Sequence, residues 1–229
     1  KMKTTHYFKQ LALVITLSFF VFSCNNDDDG YSAPEEPQST TITALASESN
    51  DLSILVSALQ AAGLDSTLDS EGSFTVFAPT NAAFENFLAD NNFSGLSDIP
   101  VDVLTQVLLN HVIAGEVFST SLTTSYGSTL ATKNGSGENL SIYIDTSNGV
   151  TLNGVSNVSV ADVDASNGVI HIVDAVIGLP NIVDHAVANP NLTSLVGALT
   201  ADGNTTFTGL LSTPGDFTVF APTNDAFAS

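Results

Sequence analysis

Hydrophobic positions recur along the chain with two different periods, first that of helices and then that of strands. One apolar helix face is formed by Leu52, Leu55, Val56 and Leu59. Asn50 or Asp51 is placed to cap this helix, and Gly63 is placed to end it. A second helix begins near Pro100, which suits a first turn, and its inner face is formed by Leu104, Val107, Leu108 and His111.

From Val117 onward the pattern is that of short strands separated by Ser, Thr and Gly clusters. The predicted strands are Ser128–Thr132, Leu140–Ile144, Val150–Leu152, Val158–Val163 and Val169–Ile177. Asn134-Gly135 and Asn148-Gly149 are typical of tight turns between strands. Helices followed by a β-meander predict an α+β module, with helices on one side of a sheet or sandwich.

One stretch of eleven residues occurs twice, as Phe74–Phe84 and again as Phe217–Phe227, with a single difference. An upstream match between Leu52–Leu59 and Leu192–Leu199 has nearly the same offset. The offset between the two copies is about the length of a domain, so it indicates tandem domains rather than a solenoid repeat. We therefore expect one complete module at residues 42–180 and an incomplete second copy at residues 181–229.

The second copy has counterparts only of the opening portion of the first. We expect residues 181–229 to form two helices and one strand without a closed core, or to lean on the first module. We also expect the natural protein to continue beyond Ser229, because so short a fragment buries little apolar surface alone.

The repeated stretch has a simple structural interpretation as a corner between a strand and a helix. The run from Phe74 has the alternation of a strand, and Pro79 ends it because proline cannot donate a ladder hydrogen bond. Thr80 or Asn81 then caps a helix that opens at Ala82. This corner serves the core, so the motif is not predicted to be a catalytic loop.

The first 24 residues have the pattern of a targeting signal. Lys1, Lys3 and Lys9 precede an apolar run that is too short to cross a bilayer. The run ends in Val-Phe-Ser-Cys24, which resembles the lipobox of bacterial lipoproteins, where the cysteine is lipidated. The alternative is an ordinary secretion signal with an incidental cysteine. Residues 25–41 have the composition of a disordered acidic tether, and its opening Asn-Asn-Asp-Asp-Asp resembles the surface-export signal of Bacteroidetes-type lipoproteins.

Charge excludes some partners. The chain carries 24 acidic and 4 basic residues, and Lys133 is the only base after Cys24. Such a surface repels nucleic acid, so we expect no nucleic-acid partner. Asp162 to Gly168 begins like a calcium loop, but the sixth position is Asn167 and the twelfth is Val173, where the motif requires Gly and Glu. A loose, weak surface calcium site stays open as an alternative.

The histidines do not predict a metal centre or a catalytic triad. His111, His171 and His185 share no short ligand spacing, and no cysteine accompanies them. No Gly-x-Ser-x-Gly elbow is present. We expect core histidines, no cofactor and no enzymatic activity. The competing interpretation is a surface hydrolase that uses His111 or His171 with a nearby carboxylate.

The repeated corner motif, Asn110-His111-Val112, and the run from Asn167 to Asp174 stand in the order found in fasciclin-like domains. The first copy resembles that family over its whole length and the second only at its start. The resemblance implies a wedge-shaped β-sandwich with helices packed along it, and an extracellular role in adhesion. The family commonly has tyrosine before the histidine, and Asn110 replaces it here.

The resemblance also suggests partner-binding residues. Asn110 and His111 stand where some animal members carry a Tyr-His adhesion pair, and Asp162-Val163 stands where some carry an Asp-Ile integrin-binding pair. We therefore expect a surface lipoprotein of the outer membrane, anchored at Cys24, that binds matrix, polysaccharide or a cell-surface protein. A small-ligand-binding lipoprotein is a further alternative.

Overall fold

A computed structural model describes residues 40–70, 72–133, 137–203, 205–213 and 215–229. The helices of this part of the chain are α1 (Ile42–Glu48), α2 (Ser53–Ala62), α3 (Asp65–Leu68), α4 (Asn81–Asp90), α5 (Val101–Leu109), α6 (Ile182–Ala188), α7 (Thr193–Leu199), α8 (Thr206–Leu211) and α9 (Asn224–Phe227). The strands are β1 (Phe74–Pro79), β2 (Val112–Ala114), β3 (Ser125–Thr132), β4 (Asn139–Asp145), β5 (Thr151–Leu152), β6 (Ser156–Ala165) and β7 (Gly168–Val173). The predicted helices-then-meander order is confirmed.

The strands form one seven-stranded sheet in the order β2-β1-β7-β6-β5-β4-β3. The strands from β3 to β7 follow one another as the predicted antiparallel meander. β1 joins this meander by pairing parallel to β7, and β2 pairs antiparallel on its other side. The first strand of the module, β1, therefore gains one of its two neighbours from the last strand, β7.

β1 is buried on both faces, which explains its apolar sequence. Val76 and Ala78 lie in a core cluster with the helices, together with Leu55 and Phe84. Phe77 points to the other side, into a second cluster with strand β4. β1 thus separates a helix-facing core from a second core, which is formed with residues of the other strands. The strand ends at Pro79 and Thr80 caps α4, as the motif predicted, and α4 begins at Asn81, one residue before the predicted start.

The Asn167-Gly168 step holds the start of the module together. The Asn167 side chain accepts a hydrogen bond from Ile42 N at 3.0 Å and donates one to the Leu68 carbonyl. Gly168 lies at φ +144°, and a Cβ there would be 1.9 Å from the Phe74 carbonyl oxygen. Only glycine allows β7 to start this close to β1.

Two local predictions were wrong. Val112–Ala114 forms strand β2, whereas the sequence pattern predicted no strand between the helix that begins near Pro100 and Val117. Neither Asn50 nor Asp51 caps α2 with its side chain. The cap comes from the corner motif instead, since Asn81 Oδ1 accepts from Ile54 N at 2.9 Å and Asn81 Nδ2 donates to the Asn50 carbonyl at 2.9 Å.

The described part of residues 181–229 contains four helices, whereas the sequence pattern predicted two. α6, α7, α8 and α9 follow one another as α1, α2, α3 and α4 do, with short 3-10 turns before α2 and α7. Asn224 Oδ1 accepts from Ser194 N at 2.9 Å, and its Nδ2 donates to the Pro190 carbonyl at 2.8 Å. These bonds are the counterparts of those made by Asn81.

The predicted strand of the second copy is not present. Residues 217–222 have no strand assignment, whereas their counterparts 74–79 form β1. Phe220 is 93% exposed, while the matching Phe77 is 0% exposed. None of the described residues from 181 onward is buried. The predicted targeting segment, which ends at Cys24, lies outside the described residues. So does nearly all of the predicted tether.

Candidate functional site

Asn110 lies at the end of α5 and is fully buried. Its amide nitrogen donates to the Gly178 carbonyl at 2.8 Å, and its amide oxygen accepts from the Thr129 hydroxyl at 3.1 Å. The side chain therefore joins α5 to β3 and to the segment that follows β7. Asn110 itself is not exposed. It can affect the surface only through these contacts.

His111 is buried beside Asn110 and uses both ring nitrogens. Nδ1 donates to the Val107 carbonyl at 2.7 Å, and Nε2 accepts from Ile177 N at 2.9 Å. Burial lowers the pKa of His111 to about 4, against the hydrogen bond to Val107, which raises it. The imidazole is therefore neutral at neutral pH, and no ring nitrogen is available as a catalytic base.

His171 lies on β7, buried between the sheet and the loop of residues 115–121, hereafter the 115–121 loop. Its Nε2 donates to the Val117 carbonyl at 2.9 Å, and its Nδ1 accepts from Asp162 N at 3.2 Å. The ring stacks on Phe77 with centroids 5.5 Å apart. His171 thus connects β6 and the 115–121 loop through the sheet.

Asp162 lies at an irregularity of β6, between the pairs that Val160 and Val163 form with β7. Its φ of +61° is left-handed, a conformation in which aspartate is tolerated better than most residues. The carboxylate accepts from Ser119 N at 2.7 Å and from the Ser119 hydroxyl. These bonds lower the pKa of the Asp162 carboxyl. Val163, the next residue, packs half-buried against the helix-facing core.

Thr75 provides a third attachment for the 115–121 loop. Its hydroxyl donates to the Gly115 carbonyl at 2.7 Å and accepts from Val117 N at 2.9 Å. Sequence reasoning did not single out Thr75, although a hydroxyl in an otherwise apolar central strand was a usable signal. Thr75, His171 and Asp162 come from three adjacent strands, β1, β7 and β6, and together hold the loop against the sheet.

The loop presents an exposed apolar side chain beside an acidic one. Phe118 is 37% exposed and directly precedes Ser119, the residue that Asp162 holds. The structure therefore brings Asp162 and the loop together on the surface, while it places Asn110 and His111 in the interior. We call Phe118, Ser119 and Asp162 the loop patch.

Metal binding finds little support in the part of the chain that the structure describes. It contains no cluster of three or more His, Cys, Asp or Glu residues able to hold a metal ion. The Asn167 side chain is hydrogen-bonded to backbone groups, and the Asp162 carboxylate is hydrogen-bonded to Ser119. The weak calcium site stays a prediction. Among the same residues, none of the helices has the length and apolar character needed to span a membrane.

Comparison with known proteins identifies the module. Residues 50–180 match the family model of the Fasciclin domain. Protein sll1483 of Synechocystis sp. is 39% identical over 132 residues, which are 58% of this chain and 69% of that protein. Protein sll1735 of the same organism is 35% identical over 131 residues, which are 57% of this chain and 92% of that protein.

Two animal proteins are also similar. The transforming growth factor-beta-induced protein ig-h3 of Sus scrofa is 35% identical over 135 residues, which are 59% of this chain but 18% of that protein. A solved FAS1 domain pair from the insect cell adhesion molecule Fasciclin I aligns with a TM-score of 0.47 at 20% identity, covering 73% of this chain and 58% of that one.

Fasciclin domains occur in extracellular and surface proteins as adhesion-type domains and are typically not enzymes. The family model covers more than half of the chain, and the matched residues include the corner motif, Asn110-His111 and the Asn167-Gly168 step. The chain therefore belongs to the fasciclin domain family.

Proposed function

We propose that this protein is a surface-anchored adhesion or interaction module that binds matrix, polysaccharide or a cell-surface protein through its loop patch. The observation that carries the proposal is the attachment of the 115–121 loop by Thr75, His171 and Asp162. A loop held at three points needs little further ordering on binding, so less of the interaction energy is lost to entropy.

The composition of the loop patch agrees with this role. Aromatic side chains are enriched among the residues that dominate binding at interfaces, and Phe118 is the aromatic residue of the patch. Asp162 adds a negative charge whose lowered pKa keeps it ionised at neutral pH. The expected partner presents an apolar group to Phe118 and a hydrogen-bond donor or a cation to Asp162. Calcium can supply the cation where the partner surface is also acidic.

Asn110 and His111 belong to the proposal as buried supports. They attach the 177–178 segment to the end of α5. β2 and then the 115–121 loop follow α5 in the chain. A surface hydrolase is the weaker alternative, because both ring nitrogens of His111 and of His171 are bonded to backbone groups.

The test is a glycan and matrix-protein array probed with the full chain, with and without calcium. Phe118→Ser and Asp162→Asn are the patch variants, and Val101→Ser is the control, since Val101 is 59% exposed on α5. We expect the patch variants to lose about tenfold or more in affinity for the bound component, and the control to keep it. A component bound equally well by all three variants would place the binding surface elsewhere.

Anchoring completes the proposal. Lipidation of Cys24 would hold the protein on the membrane, and residues 25–41 would act as the tether between the lipid and the domain. The acidic residues 27–29 would direct the protein to the outer face. The sequence pattern around Cys24 supports this part of the proposal.

A further inference from the structure

Three Asn-Gly dipeptides lie in the part of the first module that the structure describes. They connect successive strands of the meander: Asn148-Gly149 follows β4, Asn153-Gly154 follows β5, and Asn167-Gly168 joins β6 to β7. A fourth, Asn134-Gly135, lies outside the described residues. The dipeptide is chemically labile, because glycine has no side chain to shield its backbone nitrogen. That nitrogen can attack the side-chain carbonyl carbon of the preceding asparagine.

The Asn167-Gly168 dipeptide is restrained at both reacting groups. The Asn167 side chain is 9% exposed and is hydrogen-bonded to Ile42 N and to the Leu68 carbonyl. Gly168 lies so close to β1 that a Cβ would be 1.9 Å from the Phe74 carbonyl oxygen. The attack requires the asparagine side chain to rotate towards the next backbone nitrogen. At this site the rotation breaks both hydrogen bonds, so the reaction must wait for local opening.

The Asn153-Gly154 dipeptide is also restrained, although less completely. Asn153 is 7% exposed, and its Oδ1 accepts from Tyr143 N at 2.7 Å. Its Nδ2 has no hydrogen-bond partner among the described residues. A Cβ on Gly154 would be 3.2 Å from Ala188 Cα, so the end of α6 packs directly on this glycine. Rotation of the Asn153 side chain would therefore cost the bond to β4 in a packed site.

The Asn148-Gly149 dipeptide has none of these restraints. Asn148 is exposed, and no hydrogen bond joins its side chain to another described residue. No atom lies within 4 Å of the position that a Cβ on Gly149 would occupy. The asparagine side chain is therefore free to rotate, and water reaches both residues.

We propose that Asn148 is a site of spontaneous deamidation, which converts it to a mixture of aspartate and isoaspartate. Gly149 N attacks Cγ of Asn148 and forms a cyclic succinimide. The bond from Cγ to Nδ2 breaks, and Nδ2 leaves as ammonia with the proton that Gly149 N gives up. One water molecule then opens the ring at either carbonyl carbon. Attack at Cγ gives aspartate, and attack at the main-chain carbonyl gives isoaspartate. No oxidant or reductant takes part.

The modification changes the connection between β4 and β5. Either product adds a negative charge close to Asp145, whose carboxylate accepts from Ser147 N at 2.9 Å. Isoaspartate also adds a methylene group to the main chain of the turn. β5 has only two residues, Thr151 and Leu152, and both pair with β4 across this turn. The modification therefore acts on the shortest strand of the sheet.

The test incubates the full chain at mildly alkaline pH in water enriched in heavy oxygen. Alkaline pH speeds the reaction because more of the glycine nitrogen is deprotonated. Peptide mapping by mass spectrometry follows the uptake of heavy oxygen at each asparagine, and isoaspartyl methyltransferase labels the isoaspartate. We expect Asn148 to react at least about tenfold faster than Asn153 and Asn167, because only those two must open first.

The same incubation in denaturant is the matched control. Unfolding removes the restraints on Asn153 and Asn167, so we expect all three sites to react at similar rates there. Asn148→Gln should abolish the signal of its own peptide and leave the other peptides unchanged, because glutamine would have to form a larger ring. The proposal is overturned if Asn148 of the folded protein reacts no faster than Asn153 or Asn167, or if its peptide contains no isoaspartate.

Discussion

Asn81 and Asn224 make the same hydrogen bonds in the two copies of the corner motif. In each copy the amide oxygen accepts from a backbone N–H in the first turn of the preceding long helix, and the amide nitrogen donates to a carbonyl just before that helix. The motif is therefore more than a strand-to-helix corner. It closes the N-terminus of a helix that lies about 30 residues earlier in the chain.

The two asparagines should differ in their effect on stability. Asn81→Ala leaves the first turn of α2 without its cap, and we expect a loss of about 1–2 kcal/mol in the free energy of unfolding. Asn224→Ala should leave global unfolding unchanged, because none of the described residues around it is buried. Denaturant unfolding measures the first effect, and hydrogen exchange at Ser194 measures the second. Asn91→Ala is the exposed control. It removes a hydrogen bond from the Asn91 side chain to the Phe87 carbonyl of α4.

His111 should make the stability of the protein depend on pH. Its pKa is about 4 in the folded protein, below its ordinary value of 6.5, so the unfolded chain binds more protons between these values. Stability therefore falls as pH decreases from about 6.5 towards 4, by a total on the order of 3 kcal/mol.

Denaturant unfolding at several pH values checks this prediction. His111→Gln should be less stable at neutral pH and should lose most of the slope in that window. The pKa of His185 is also lowered, so His185→Gln serves to separate the smaller contribution of that half-buried ring. A slope that persists in both variants would show that other groups cause it.

Gly168 should tolerate no side chain. The Cβ of Gly168→Ala would meet the backbone oxygen of Phe74 at 1.9 Å, so β1 and β7 would have to separate. We expect a destabilisation of at least about 3 kcal/mol. Gly178→Ala is the matched control, because no atom lies within 4 Å of its Cβ position. Thermal unfolding compares the two, and equal melting temperatures would contradict the close approach of the strands.

Cys24 determines the anchoring part of the proposed function. Cys24→Ser should move the protein from the membrane fraction to the soluble fraction, because a serine cannot receive the lipid. Fractionation of cells followed by immunoblotting measures this. Replacement of residues 27–29 by Asn should leave the protein in the membrane fraction but protect it from protease added to whole cells. Membrane association that survives Cys24→Ser would contradict the lipid anchor.

Local signals in the sequence were sufficient for much of the fold. Gly63 ends α2 with a left-handed φ of +67°, and Pro79 ends β1, since both residues act through their own backbone. The strand-rich half was found because turns and alternation are local too. β2 was missed because three residues directly after a helix are too few to show a period.

Contacts between distant residues could not be predicted in the same way. Asn50 and Asp51 have the right chemistry to cap α2, but the capping group comes from Asn81. The position of His111 on the inner face of α5 predicted its burial, but the sequence did not show that Asn110 is buried or that Asp162 holds Ser119. Burial depends on what packs over a residue, and here that is the segment after β7.

The parallel pairing of β1 with β7 has a consequence for how the chain folds. These strands lie almost a whole domain apart in sequence, so closing the sheet requires a large loss of chain entropy before any contact is gained. Folding of this domain should therefore be slow compared with that of helical proteins of its size. Until Gly168–Val173 has been synthesised, β1 has no neighbour on one side. The segment Phe217–Phe220, which is identical to Phe74–Phe77, is made only after β7, so the order of synthesis gives β1 the first opportunity to occupy the centre of the sheet.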